Sequence, residues 1–595
     1  MIAPMEKVTV FIFHKIKEDF LAALQSLGLL HITQEKKDAD QQLKLIQSEI
    51  MRCELFLKAA KKIKEGLVSG QLPNEFKAKQ DFELVELFEK IKLELTEATD
   101  NLEKTEKEIR NLAPWGEFER KAIERLNSSG VKVRFFISPI KKFSLDDLDE
   151  SICAHEISRD KTYVYFVVFE KDQQIKLDCD EFFYPAVSIQ ALEQQALELS
   201  KQIEEKNKLI LMISAENKQV QDYSNQQKTR LNYLLVSNNL AHAAEEKVFI
   251  INGWLPRQQK ADMEQFLEKQ DVYFYFSQPE SGEDVPVLLK NNWFSKLFEP
   301  ITKMFALPQY SEMDLTAFFA PFFTLFFGFC LGDAGYGLII LVICAIFWKR
   351  VSIEQRPFLT LGAVFGLSTF LFGLVSGNLF GVDLVKIDIF KNFVLLNQDQ
   401  LFYLSLKIGI VQIFFGLVLK AINKFRQFGF SASISTWGWL VLLTGILPWV
   451  LAFLANKPSA VWANYCMLTG FVLILFFNDL KANIFVRVGK GLWELYGGLT
   501  GFLGDVLSYV RLFALGISGA ILGLVVNEIG MQFRAIPYIG FFITFVFLVV
   551  GHTANLLLCG LSSFVHPLRL TFVEFYKNAG FEGGGRAYLP FKNVK

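Results

Sequence analysis

The sequence predicts an α-helical polytopic membrane domain of about eight transmembrane helices, the last two long and tilted. This domain carries N-terminal cytosolic α/β lobes joined by a long antiparallel coiled coil. Three observations predict it. Residues 1–300 hold 41 Lys/Arg and 50 Asp/Glu, a net of −9, whereas residues 301–595 hold 21 and 13, a net of +8. Long apolar runs fill the second half, and apolar residues at a 3.5-residue period fill much of the first. Halves so different do not form one soluble domain. A small soluble enzyme, a disordered protein and a β-barrel porin are excluded. The overall charge of −1 gives no reason to expect a nucleic-acid partner.

The arm, residues 1–310, opens on Lys7-Val-Thr-Val-Phe-Ile-Phe13, whose β-branched residues and phenylalanines predict a strand. Further strands are predicted at 29–33, 131–138, 163–169, 247–254 and 272–276. Between them Leu43, Ile46, Ile50, Cys53, Leu57 and Ala60 alternate three- and four-residue steps. Leu84, Leu87 and Ile91 repeat the pattern, as do Leu192, Ala196, Leu199 and Ile203. Such spacing makes an apolar seam with charged flanks, so a coiled-coil hairpin with a strand-bearing lobe at its far end is expected. An ordinary helical bundle is the alternative.

The start of the chain alternates and soon becomes charged, unlike a signal peptide. The arm is therefore expected in the cytosol. Seven cysteines lie far apart without a C-x-x-C pair, which predicts neither a metal site nor a disulfide framework, and no cofactor is expected. No G-x4-G-K-[ST] phosphate loop occurs, so the chain is expected to hydrolyse no nucleotide and to be no enzyme itself.

The membrane domain, residues 311–595, has apolar runs at 315–348, 358–381, 401–422, 434–455, 460–477, 491–528 and 541–576. The first is broken by Gly332-Asp333-Ala334-Gly335-Tyr336-Gly337. If it crosses twice, 12 cations, among them Lys349, Arg426, Lys481 and Arg487, face the cytosol, and only Lys386, Lys391, Lys457 and Arg534 face outward. That asymmetry favours eight spans with both termini cytosolic. Each of the last two runs is about 54 Å long as a helix, more than the ~30 Å hydrocarbon core.

Both long runs bury an arginine, Arg511 and Arg569. A charge at the centre of a span costs at least ~2.5 kcal/mol, so it marks function unless it snorkels, which Arg569, late in its run, has room to do. His552, Asn555, Cys559, Ser562, Ser563, His566 and Arg569 share a stripe of about 120° on the last run. On the previous run Glu494, Gly497, Gly501, Gly504, Asp505, Ser508 and Arg511 share one side. Small residues at that spacing admit a close partner. The two histidines are equally readable as packing residues, and Asp333 as a turn residue.

Leu507-Ser-Tyr-Val-Arg511-Leu-Phe-Ala-Leu515 resembles the signature of subunit a, called subunit I in bacteria and archaea, of V/A-type rotary ATPases. Phe564-Val-His-Pro-Leu-Arg569-Leu-Thr-Phe-Val-Glu574-Phe resembles the second arginine motif of that family, and Gly332–Gly337, Gly373–Gly381, Gln412–Gly416 and Gly253–Pro256 are similar to other family elements. The resemblance implies a non-catalytic stator that holds two aqueous half-channels against a rotating proteolipid c-ring (K subunits). Arg511 and Arg569 would face the ring carboxylates that carry H⁺ or Na⁺. Half-channel candidates are Glu494, Asp505, Ser508, His552, Asn555, His566, Glu574 and Gln412, with Gly497, Gly501 and Gly504 for close helix packing. Implied partners are peripheral-stalk subunits E and G/H, central-stalk subunit d/C and membrane lipid. The implied location is a prokaryotic plasma membrane. Some relatives have a glutamate ten residues before the second arginine; here Cys559 stands there, so either another residue such as His552 or Asn555 relays instead or the ion path differs, which leaves H⁺ versus Na⁺ open. The rival class is a self-contained secondary transporter with a coiled-coil regulatory arm, disfavoured by the lack of a repeated broken-helix pattern.

Overall fold

Lys7–Phe13 forms the strand that its side chains predict. In the computed structural model, which describes all residues except 34–40, 64–80, 117–119, 141–152, 172–178, 184–186, 244–246, 281, 354, 385–397, 455, 479–482 and 595, that strand is Met5–Phe13. It pairs antiparallel with Val248–Pro256 on one side and Tyr273–Ser277 on the other, and His31–Ile32 pairs with Val248–Pro256. Val8, Val10 and Ile12 are at most 1% exposed. A slip of one residue would turn all three to water, and that fixes the register. Gly253 is required because a Cβ there would stand 2.6 Å from the Leu30 side chain.

Contacts divide the described chain into two units. The first comprises Met1–His14, Leu29–Thr33 and Ala243–Pro590, and so joins this sheet to the apolar helices; the second comprises Lys15–Gly28, Gln34–His242 and Phe591–Lys595. Within the first unit the chain after the last helix returns to the sheet-bearing lobe. Val287 donates its N–H to Arg586 O at 2.7 Å, and Arg586 Nε pairs with Asp284 at 2.7 Å. His31 Nδ1 lies 2.9 Å from the carbonyl and 3.0 Å from the N–H of Leu589. A neutral ring can accept from that N–H; a protonated one must turn to the carbonyl. Burial pushes the His31 pKa down, the Leu589 carbonyl pushes it up, Arg586 pushes it down and Asp284 up, for a value below the ordinary 6.5. The folded clasp therefore holds a proton less readily than the unfolded chain. Its stabilisation is complete above the ordinary value and is lost as pH falls through the lowered one. Exchange protection of the Leu589 amide, corrected for its intrinsic rate, is expected to be greater at about pH 7.5 than at about pH 5.5. A flat profile would contradict this.

In the second unit, helices Gln41–Ile63, Phe82–Leu112, Ile189–Ala215 and Asn217–Asn238 share a core. Cys53, Phe56 and Ala60 meet Leu84, Leu87, Phe88 and Ile91, together with Ile210, Ile213 and Val220. The seam residues thus face one another, with flanking pairs such as Lys228–Glu54 at 2.7 Å and Arg52–Glu89 at 2.6 Å. A separate antiparallel sheet has the order Cys153–Arg159, Tyr163–Glu170, Lys132–Pro139, Asp180–Phe182. Trp115 packs edge-on against Phe135 and Tyr165, both at 5.3 Å between ring centres. Arg134 ties two strands by bonding Glu170 at 2.8 Å and Glu181 at 2.7 Å.

Among the described residues, five helical segments are long and apolar enough to cross a membrane: Arg356–Ser376, Asp399–Phe428, Phe430–Val450, Ile484–Phe533 and Gly540–Ala579. Shorter apolar helices are Thr316–Leu331, Ala334–Phe347 and Val461–Phe476. The first apolar run splits where its glycines predict. Gly332 takes a left-handed φ of 47° and ends one helix, and Asp333 caps the next by accepting from Gly335 N–H at 2.8 Å. The 491–528 run extends further than expected and is not one continuous helix. Ile484–Ser508 and Val510–Phe533 meet at Tyr509. In the last segment Gly540–Arg569 passes into a π-helical turn, Leu570–Phe575, and then Tyr576–Ala579. Pro567, with no N–H to give the preceding turn, stands just before that change. Phenylalanines fill the interior: Phe298, Phe319, Phe323, Phe365 and Phe575 share one cluster, and Phe327 stacks on Phe365 at 4.5 Å. Of the loop cations counted for orientation, Lys386, Lys391 and Lys481 lie outside the described residues.

Candidate functional site

Tyr509 places Arg511. Its ring is fully buried, and its hydroxyl donates to Gln412 Oε1 at 2.8 Å. Gly409 makes room for it, since a Cβ there would come within 2.5 Å of the ring. Two residues on, Arg511 is half-buried, and its Nη1 is buried without a hydrogen-bond partner among the described residues. Gln412 Nε2, Glu574 Oε2, Ser563 Oγ and Thr571 Oγ1 are likewise buried and unbonded. Each such atom costs about 1–3 kcal/mol, so a fold does not collect them without a use. The charge of Arg511 acts on Glu574 and His566, and Ser508 lies against the Glu574 carboxyl. Arg569 is exposed at the end of its α-helix.

Residues before Arg511 line a cavity of about 330 Å³, walled by Lys420, Trp439, Glu494, Gly501, Asp505 and Lys577. Asp505 accepts from Asn578 Nδ2 at 2.8 Å and meets Lys577 Nζ at 3.4 Å. Glu494 Oε1 accepts from Ser435 Oγ and Trp439 Nε1, both at 3.2 Å. Gly498 lets the Trp439 ring in, for a Cβ there would stand 2.3 Å from it. Among the described residues, nothing lies within 4 Å of a Cβ at Gly497 or Gly504, and only Lys577 Nζ, at 3.7 Å, at Gly501, so this glycine edge is open.

Residues after Arg511 meet a second polar group. Cys559 Sγ donates to Asn555 Oδ1 at 3.0 Å. Asn555 Nδ2 donates to the Tyr336 hydroxyl at 2.9 Å and to Gly519 O at 3.1 Å. Tyr336 O lies 2.8 Å from His552 Nδ1, and His552 Nε2 lies 3.0 Å from Asn527 Oδ1. Asn527 Nδ2 donates to Phe380 O at 2.6 Å. Asp333 clamps this corner, accepting at Oδ1 from Gly335, Tyr336 and Phe380 N–H and at Oδ2 from Gly381 N–H. His552 and Asn555 therefore share one network, whereas Glu494 and Asp505 share the cavity.

A model of the V-type ATPase 116kDa subunit family matches residues 173–356. The chain is 26% identical to the V-type ATP synthase subunit I of Borreliella burgdorferi, over all of both chains. It is 24% identical to V-type ATP synthase subunit I 1 of Treponema pallidum, again over the whole of each. The A-type ATP synthase subunit I of Methanocaldococcus jannaschii is 30% identical over 58% of this chain; the chain spans only 55% of that relative's length.

The chain is similar to subunit I of V/A-type ATPases.

Several residues of the site escape a sequence reading. Tyr336 and Asn527 join the network, and Asn578 and Lys577 hold Asp505. Asn527 carried a signal, being a polar side chain late in an apolar run. Tyr336 looked like part of a glycine-rich break and meets His552 across 216 positions. His566 lies half-buried in reach of both arginine charges.

Proposed function

We propose that the chain is the stator subunit of a V/A-type rotary ATPase, forming the two half-channels by which H⁺ or Na⁺ reaches and leaves the carboxylates of a rotating proteolipid ring. ATP hydrolysis or synthesis would occur on other subunits. The observation that carries this reading is the buried, unbonded Nη1 of Arg511, placed along the chain between two polar regions. Asp505 precedes it by about 9 Å of helix and Asn527 follows by about 24 Å. A guanidinium fixed there favours a passing carboxylate in its charged, empty form. It thereby promotes release of the ion and separates the two aqueous paths. Arg suits the task because it stays protonated.

In this reading the cavity of Glu494 and Asp505 is the cytosolic half-channel, with Ser508, Gln412 and Glu574 at its inner end. The network of His552 and Asn555 belongs to the external one. Arg569 and His566 are the second cationic element. The open edge of Gly497, Gly501 and Gly504 accepts the ring. Five long apolar segments and three shorter helices among the described residues support eight spans; the cation asymmetry of the loops supports cytosolic termini, and the membrane is read as a prokaryotic plasma membrane. Residues 1–310 are the arm, a coiled coil bearing α/β lobes, which docks peripheral-stalk subunits E and G/H and central-stalk subunit d/C against torque.

Affinity purification of the chain from its own membrane is expected to bring down nucleotide-binding subunits and a proteolipid. The chain reconstituted alone is expected to carry no ion. Ion transport by the isolated chain would instead establish the secondary-transporter reading.

A further inference from the structure

The bonds around Tyr336 fix which atom carries which hydrogen. Asn555 spends both hydrogens of its amide, on Tyr336 and on Gly519 O, so the Tyr336 oxygen accepts there. The single Tyr336 hydrogen is then free for His552 Nδ1, 2.8 Å away. Asn527 gives its amide to Phe380 O, so its Oδ1 faces His552 Nε2 as an acceptor. His552 is thus a neutral ring with its hydrogen on Nε2, receiving at Nδ1. Every donor from Cys559 to Asn527 points the same way along one chain of bonds.

Such a chain suits one cargo. Hard metal cations need several oxygen ligands at once. Here the oxygens of Asn555, Tyr336, Asn527 and Phe380 each already receive a hydrogen. The neighbouring carboxylate, Asp333, has both oxygens committed to backbone N–H groups. The charged and titratable groups facing His552 and Tyr336 are this clamped carboxylate and the Cys559 thiol. A proton needs no such shell: it can enter at one end of the wire as the hydrogen that Tyr336 already gives to the imidazole passes on.

We propose that Tyr336 and His552 form a proton relay, so that the ion carried along this path is H⁺ and not Na⁺. The inference rests on the stator reading above. In the step, a proton from water joins the Tyr336 oxygen as its hydroxyl hydrogen passes to His552 Nδ1. The imidazolium then breaks its Nε2–H bond to Asn527 Oδ1, an amide oxygen that cannot keep the proton, and gives that proton to water. One proton enters and one leaves, and the neutral ring is left with its hydrogen on Nδ1; that state runs the reverse passage, and both hydrogens must turn back to the Tyr336 hydroxyl and to Nε2 before another forward one.

The test uses the whole complex in proteoliposomes, with ATP-driven acidification, ²²Na⁺ uptake and ATP hydrolysis measured together. Wild type is expected to acidify the lumen and to take up no Na⁺ once a protonophore is present. Tyr336→Phe and His552→Gln are expected to assemble normally yet acidify at least ~10-fold more slowly. Glutamine keeps both hydrogen bonds but cannot relay, so a merely structural role would leave it active. His552→Ala is expected to regain acidification with added imidazole. Protonophore-resistant Na⁺ uptake, or full acidification by the assembled Phe and Gln variants, overturns the relay. Arg511→Ala, run alongside, separates the two readings. If it alone loses acidification, only the relay falls. If it too pumps normally, the stator reading falls.

Discussion

Arg511→Ala is expected to abolish ATP-driven ion uptake while the complex still assembles. The two halves of that expectation have one cause. The Arg511 Nη1 is buried and makes no hydrogen bond among the described residues, so the folded subunit holds it at a cost. Removing it sacrifices no bond at that atom and should not weaken assembly. What is lost is the fixed positive charge beside the ring carboxylates. Without it, a carboxylate leaving one aqueous path keeps its ion, and the two paths are no longer separated. Arg511→Lys should be only a partial substitute, because an ammonium is a point charge that can lose its proton in a dry setting. The check is luminal ion uptake per ATP hydrolysed by complexes of equal subunit content. Uptake at the wild-type ratio by assembled Arg511→Ala would refute the assignment.

Asp333→Ala is expected to have the next largest effect, and on folding rather than transport. Four backbone N–H groups, of Gly335, Tyr336, Phe380 and Gly381, end on this one carboxylate. The side chain is 2% exposed, so water cannot readily replace it. Each stranded donor costs about 1–3 kcal/mol before relaxation, and we expect about 3 kcal/mol or more in total. Phe380 makes the clamp more necessary. Its φ of 51° is unfavourable for a side-chain-bearing residue and persists only where neighbours enforce it. Gly381 beside it must be glycine, since a Cβ would stand 2.3 Å from the Gly523 backbone. The measurement is the thermal midpoint of the detergent-solubilised subunit. Asp333→Asn, which retains one acceptor oxygen, should fall between the alanine variant and wild type.

These two residues also mark what could be read in advance. Arg511 was conspicuous because a guanidinium inside an apolar run contradicts its surroundings. Val8, Val10 and Ile12 declared a strand by their alternation, and Cys53 with Ala60 and Leu87 declared a helical seam by their period, although Phe56 and not the expected Leu57 enters its core. Asp333 announced only a turn, because two of its four bonds reach into another segment, to Phe380 and Gly381. Tyr336 was invisible for the same reason: its partners arrive from the last long helix. Strand Cys153–Arg159 was missed because its Cys-Ala-His-Glu-Ile-Ser-Arg sequence is polar on both faces, and a β-bulge between Glu156 and Ser158 disturbs what alternation there is. Local chemistry names local structure; long-range hydrogen bonds leave no such trace.

The widened turn at Leu570–Phe575 has a consequence of its own. A π turn holds one residue more than the α-helix around it, like a spare link in a chain. Downstream, Asn578 is moored to Asp505, so this end cannot swivel. Excising a single residue between 570 and 575 would let the backbone tighten to ordinary winding. Arg569 and His566 would then be re-aimed by about 100° with their chemistry intact.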